Sequence, residues 1–198
     1  AESVPAGGLL FAWTTPYQIE PTSDNLEEWG LIAKSKAKEI RGKAPKVTKS
    51  ELGSLGGQPI ALTEVSFHFD SDTGPLGWVY SATVPVQGQM FHLATVASAN
   101  RKSQAKRKRD ELVQRLDVRS KAVELSWGAT LNASGVQSTL PKDWRPPLEI
   151  EEPFLAADFK LLGIADPEAC WTAVRPHPIN AASLMVTCPG SLFLGLVD

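Results

Sequence analysis

The residues able to do chemistry are few and scattered. The chain has three histidines, His68, His92 and His177, on three separate segments. A zinc site draws three or four ligands from Cys, His and carboxylates at close spacing, and these three fit no such set. No metal and no cofactor is therefore expected. DSDTG, Asp70 to Gly74, alternates aspartates as a calcium loop does, but the twelfth position holds Ser81 where a glutamate belongs, so it reads as a hairpin turn. Asp70 with Asp72, and Glu149 with Glu151, have the spacing of paired carboxylates. Acid-base work needs one pKa raised against the other, and nothing nearby in sequence does that, so both pairs read as solvent-facing. Ser54 in LGSLGG lacks the glycine-x-serine-x-glycine turn of a nucleophile elbow. The same glycines precede a strand, where no helix N-terminus would meet a phosphate.

Charge is distributed unevenly. Arg101 to Lys121 carries nine basic and three acidic residues in a chain of formal net charge -2. The centre of this stretch is Lys106, Arg107, Lys108 and Arg109. Nucleic-acid binding would use them on phosphates, but no aromatic residues interleave for stacking and no helix-turn-helix partner is present. Lys106 with Asp110, Arg107 with Glu111, and Glu111 with Arg115 stand four apart, the spacing of pairs along one exposed helix face. Three uses remain, a solvated face first, then a docking surface for an acidic partner or anionic surface, and last nucleic-acid binding. Lys106, Arg107, Lys108 and Arg109 are the candidate contacts, with Trp144 of the proline-rich WRPPLEIEEP as a candidate exposed aromatic.

Cys170 and Cys188 flank CWTAVRPHPINAASLMVTC, which reads as two short strands around HPINA. A hairpin symmetric about Ile179 sets Val174 against Leu184, Thr172 against Val186, and Cys170 against Cys188. That register permits a disulfide closing about 19 residues, worth on the order of 3 kcal/mol. Such a bond points to an oxidising compartment. Two reduced, buried cysteines are the alternative.

These residues need elements to hold them. GGLLFAWTTP, Gly7 to Pro16, is a first strand with a proline stop. PTSDNLEEWGLIAKSKAKEIRGK has a capping-box pattern in Asp24 and Glu27, an apolar stripe in Leu26, Trp29, Ala33, Ala37 and Ile40, and Gly42 at its end. After a glycine-rich link, ELGSLGGQP, the period becomes two. Ala61, Thr63, Val65, Phe67 and Phe69 line one face of a strand, with His68 on the polar side and so half-exposed. Trp78 to Val86 forms the next strand, Gln87 and Gly88 a tight turn, and Phe91, Leu93, Thr95 and Ala97 the apolar side of a third. A helix follows, with Ser103 as cap and Ala105, Leu112, Val113 and Leu116 as a narrow stripe. Leu140 to Pro153 reads as a linker or long surface loop.

Hydrophobic residues are 42% and charged residues 21%, with six tryptophans, which describes a folded chain. No run approaches the roughly 20 apolar residues of a membrane-spanning helix. Ala1 in place of Met fits a chain cut after a removed signal peptide, and a cloning boundary would look the same. SLFLGLVD at the other end reads as a buried strand, or as a stop inside a larger protein.

The order strand, helix, antiparallel meander, helix over residues 8 to about 120, with the glycine, short strand, proline and tryptophan of GVQSTLPKDW, Gly135 to Trp144, resembles the PsbP-like family. The resemblance implies an α/β/α sandwich, an extracytoplasmic setting and a non-enzymatic accessory role, with no catalytic residues to carry over. The expected fold class is α+β, an antiparallel sheet with flanking helices. Residues 1–125 form the first unit; 126–198 form a second, smaller strand-rich one, an incomplete copy or a unit packed on the first. The expected function is periplasmic or secreted binding of a protein partner through surface contacts. Two alternatives stand beside it: a hydrolase-type enzyme assembled from His68, His92 and Asp72, and a nucleic-acid or anionic-surface binder using the basic helix.

Overall fold

A computed structural model describes residues 8–116, 123–133, 136–177, 181–188 and 191–197. Five antiparallel strands make the main sheet: β1 (Leu9–Thr15), β2 (Lys43–Leu55), β3 (Gln58–His68), β4 (Leu76–Val86) and β5 (Gln89–Ser98), in the order β1-β5-β4-β3-β2. Helix α1 (Leu26–Glu39) covers one face and α2 (Lys102–Arg115) the other. This is the α+β arrangement that the sequence pattern predicts, and both faces of the sheet are buried.

The two faces follow from the register. Val65 pairs with Val79, Val79 with Val96 and Val96 with Leu9, and these join Phe67, Ala94 and Phe11 beneath Ala33 and Ala37 of α1. Trp29, Ala33 and Ala37 repeat every four residues, so the small alanines let the helix approach the sheet while Trp29 fills its end. Each buried Val or Phe here contributes roughly 1.5–3 kcal/mol. On the other face Ile60, Ala82, Val84 and Leu93 meet Leu112 and Val113 of α2 and Leu116 just beyond its end.

Local conformations explain the turns. The hairpin β2–β3 turns at Gly56 and Gly57, with φ 58° and 85°, and β4–β5 at Gln87 and Gly88, with φ 49° and 85°, the left-handed pairs that match strand twist. Helix α1 ends with Arg41 in the left-handed position, φ 62°, and the Gly42 amide donating to the Ala37 carbonyl at 2.8 Å. Gly42 is required for a different reason: a Cβ there would lie 2.5 Å from that carbonyl oxygen and 2.6 Å from the Phe67 ring. At the other end the expected Asp24 and Glu27 capping box is replaced. A short 3-10 turn, Ser23–Asn25, precedes the helix, and Asn25 Oδ1 accepts from the Thr22 amide at 2.8 Å and from Trp29 Nε1 at 2.8 Å. Likewise Ser103 lies inside α2, which is entered through the 3-10 turn Ala99–Arg101.

Strand β2 is the largest departure from the sequence reading, which takes its second half as a link. Its lysines break the apolar alternation, yet it pairs with β3 along its length, with register shifts between Lys43 and Lys46 and between Val47 and Lys49. It is an edge strand, so half its pattern faces water.

The C-terminal part holds the hairpin β6 (Thr130–Ala133) and β7 (Val136–Thr139), helix α3 (Glu152–Leu161), and a three-stranded antiparallel sheet of β8 (Trp171–His177), β9 (Ala181–Cys188) and β10 (Ser191–Val197), in the order β10-β9-β8. Thr172 pairs with Val186 and Val174 with Leu184, as hairpin symmetry about Ile179 requires. Cys170 and Cys188 form a disulfide with Cα atoms 4.2 Å apart. Leu155, Val174, Leu184 and Val186 pack around Tyr17, which arrives from the connection between β1 and α1. Gln18 ties the same connection further: its Oε1 accepts from the amides of Gly88 at 2.9 Å and Val123 at 3.2 Å.

The tract from Leu140 to Pro153 is not a solvent-facing linker. Leu140, Arg145 and Glu151 are buried, and Arg145 exchanges backbone hydrogen bonds with Val174 at 3.0 and 2.9 Å. Glu151, expected in solvent beside Glu149, is 0% exposed and receives the Arg145 guanidinium in a two-pronged pair, Nη1 to Oε2 at 2.8 Å and Nη2 to Oε1. Burial, with Glu151 and Asp158 adding to it, pushes the Tyr17 hydroxyl up to about 12, so it stays neutral beside this pair.

Candidate binding face on the second helix

Helix α2 sorts its basic residues by position. Ala105, Arg109 and Val113 recur every four residues and point into the sheet. Arg109 is therefore not a surface contact: it is 1% exposed, its guanidinium donates to the Ser81 carbonyl at 3.3 Å and to Asp110 Oδ1 at 2.8 Å, and it lies 5.9 Å from the Tyr80 ring centroid. Burial pushes the Tyr80 hydroxyl far above the ordinary tyrosine range. Lys106, one turn back, is committed to Glu64 of β3 at 2.5 Å rather than to Asp110. Lys102 caps Trp78, with Nζ 3.7 Å from the ring centroid.

Arg107 and Lys108 are left pointing outward, with side chains 76% and 54% exposed. Both share Glu111, at 3.6 and 4.0 Å, so one carboxylate faces two cations at long range. With Arg101 they border a cleft of about 430 Å³ between α2 and the edge of the sheet, whose lining also includes Glu111; on the sheet side Leu10, Thr95 and Ala97 turn toward it, while the side chains of Leu9 and Val96 turn toward α1. Leu10 is 55% exposed there. Cationic walls over a partly apolar floor suit an acidic segment that also carries apolar groups.

Trp144 is half-buried, in a turn closed by its own amide on the Pro141 carbonyl at 3.0 Å, and it does not line that cleft.

The histidines are not brought together. His68 Nδ1 lies 2.8 Å from the Gly74 carbonyl oxygen at one end of the sheet, while His92 is paired with Thr83, itself opposite Ala61. Seven residue steps along β3 take Ala61 to His68, about 23 Å of strand. The two also sit on opposite faces of the sheet, by the parity of the register. His92 is fully buried. Its Nε2 and Nδ1 lie 2.9 Å from the hydroxyls of Thr15 and Thr83, and its ring stacks on Trp13 with centroids 5.0 Å apart. Burial, with the Lys36 charge adding to it, pulls its pKa down to about 4. A neutral imidazole with both nitrogens satisfied holds β1, β4 and β5 together and has no proton to trade with solvent. His177 Nε2 is taken up by Ser183 Oγ at 3.0 Å. Among the described residues no group of three or more His, Cys, Asp and Glu is placed to hold a metal.

A reading of sequence alone misses the role of Arg109, although the signal is present: it stands midway between Ala105 and Val113 on the buried stripe. Among the described residues no helix is long and apolar enough to cross a membrane. No protein-family model matches the chain, and no curated relative matches its sequence.

Proposed function

We propose that this protein is a non-catalytic, extracytoplasmic accessory protein, periplasmic or secreted, that binds an acidic partner protein through the exposed side of α2. The observation that carries this reading is the trio Arg101, Arg107 and Lys108 over an open, partly apolar cleft, in a chain that is acidic elsewhere. The disulfide supports the oxidising compartment. The separation of His68 from His92, and the burial of His92, argue against the hydrolase alternative built on them. The accessory role is also the one that the PsbP-like resemblance implies.

The test is binding of polyglutamate at rising salt by wild type and by the triple change Arg101→Ala, Arg107→Ala and Lys108→Ala. Wild type should bind at low ionic strength with a steep salt dependence, and the triple variant should bind at least ten-fold more weakly with an unchanged thermal transition. Equal binding by both proteins rejects this face. Preference for duplex DNA over polyglutamate at matched charge moves the reading to nucleic acid.

A further inference from the structure

The main sheet has two edges, and they are built in opposite ways. The β2 edge carries Lys43, Lys46 and Lys49, a proline at Pro45, and two register shifts. These are the devices by which sheet proteins keep other strands from adding on. The β1 edge carries none of them. Its sequence LLFAWTT has no charge and no proline, and it runs in uninterrupted register with β5 from Leu9 opposite Val96 to Thr15 opposite Met90. Among the described residues β1 pairs with β5 alone, which leaves its outer row of backbone N–H and C=O groups without a strand partner.

A cleft lies on each side of this edge. On the α2 side is the cleft of about 430 Å³ with Arg101, Arg107 and Lys108 on its wall. On the α1 side is one of about 400 Å³, lined by Trp13 and Leu31, with Lys36 and Glu39 at its margin already paired at 2.6 Å. The first cleft flanks the Leu9–Leu10 end of β1 and the second the Trp13–Thr15 end, so a strand laid along β1 would send side chains of one face into the first and side chains of the other face into the second. One set would meet Arg101 together with Arg107 and Lys108, which have only the single Glu111 carboxylate between them, and the other an aromatic and aliphatic wall.

We infer that the β1 edge accepts an extended segment of the partner as a sixth strand, and that this segment alternates acidic residues facing α2 with apolar residues facing α1. The inference rests on the binding role proposed for the α2 face and specifies its mode, strand addition with side-chain specificity from two clefts. A second copy of this chain is the disfavoured occupant. Two β1 edges paired about a two-fold axis would place Arg101, Arg107 and Lys108 of both copies on the same side of one continuous sheet, where like charges repel.

The probe is an acetylated, amidated ten-residue peptide of alternating glutamate and valine, with two versions N-methylated at every glutamate or at every valine. An edge strand offers only alternate amides to its neighbour. One methylated version should therefore bind at least ten-fold more weakly than the parent, while the other stays within about three-fold. Bound parent peptide should also slow amide hydrogen exchange in Leu9–Thr15. Equal binding by all three peptides overturns strand addition and leaves the charge-based reading in place. Failure of the parent peptide with polyglutamate still bound has the same meaning, and failure of both removes the underlying reading as well. A free protein that sediments as a dimer, with β1 amides already protected, assigns the edge to a second copy and overturns the inference.

Discussion

The Arg109 guanidinium donates to the carbonyl oxygen of Ser81 from inside the interface between α2 and the sheet, while Arg107, two residues earlier, stands in solvent. Two neighbouring arginines thus belong to different parts of the molecule. Arg109→Ala removes a buried stem and its hydrogen bonds and should lower stability by about 1–3 kcal/mol. Arg107→Ala should leave it within about 0.5 kcal/mol. Urea unfolding of the two variants separates them; equal effects would sink the assignment of Arg109 to the core.

Arg145 and Glu151 form a buried ion pair in the C-terminal part, with the Leu148 amide also donating to Glu151 at 2.9 Å. Removing one partner leaves an uncompensated charge, so Glu151→Ala should cost about 3–5 kcal/mol. The double change Arg145→Met with Glu151→Leu removes both charges and should recover a large part of that loss. Additive losses in the double variant would show that the pair is not coupled.

The cysteine hairpin was legible because its register is a matter of counting from a turn, and strand pairing obeys that count. The meander was legible for the same reason. The burial of His92 was not. Phe91, Leu93, Thr95 and Ala97 make a sufficient apolar face by alternation, which assigns His92 to the opposite, polar side; helices on both faces of the sheet remove any wet side from β5. Strand β2 was lost for the opposite reason, since an edge strand may carry lysines where a central strand cannot. Helix α3 had the usual marks, Pro153 in its first turn and Gly163 beyond its end with φ 70°, but the neighbouring prolines and glutamates made the tract look like a linker. The candidate face was half legible. Charge located α2, and only the side-chain geometry removes Arg109 and Lys106 from the uncommitted set.

The Cys170 to Cys188 bond closes the flank of the core formed by Val174, Leu184 and Val186. Replacing both cysteines by serine should lower stability by about 2–4 kcal/mol, through a less constrained unfolded chain. Intact-mass measurement with and without reductant should differ by two hydrogen atoms in the wild type. A protein purified from its native compartment with two free thiols would remove the main support for an oxidising environment.

His92 sets a pH dependence of known sign. In the unfolded chain its pKa returns to about 6.5, while in the fold it lies at about 4, so the unfolded state takes up a proton first as acid is added. The contribution is fully present above about pH 6.5 and is lost as pH falls toward 4, to a total on the order of 3 kcal/mol. Lys36, with Nζ 4.4 Å from the Trp13 ring centroid, adds to the cost of a charge on the imidazole beneath. Carboxylates also titrate in the lower part of this window, so the informative quantity is the difference between wild type and His92→Gln. The variant should be less stable at pH 7, because the stacked ring and its fit between Thr15 and Thr83 are lost. Its stability should nevertheless fall less between pH 6.5 and 4.5, and the two curves should converge. Parallel curves across that range, measured by urea unfolding at each pH, would show that His92 titrates alike in both states and would contradict its place in the core.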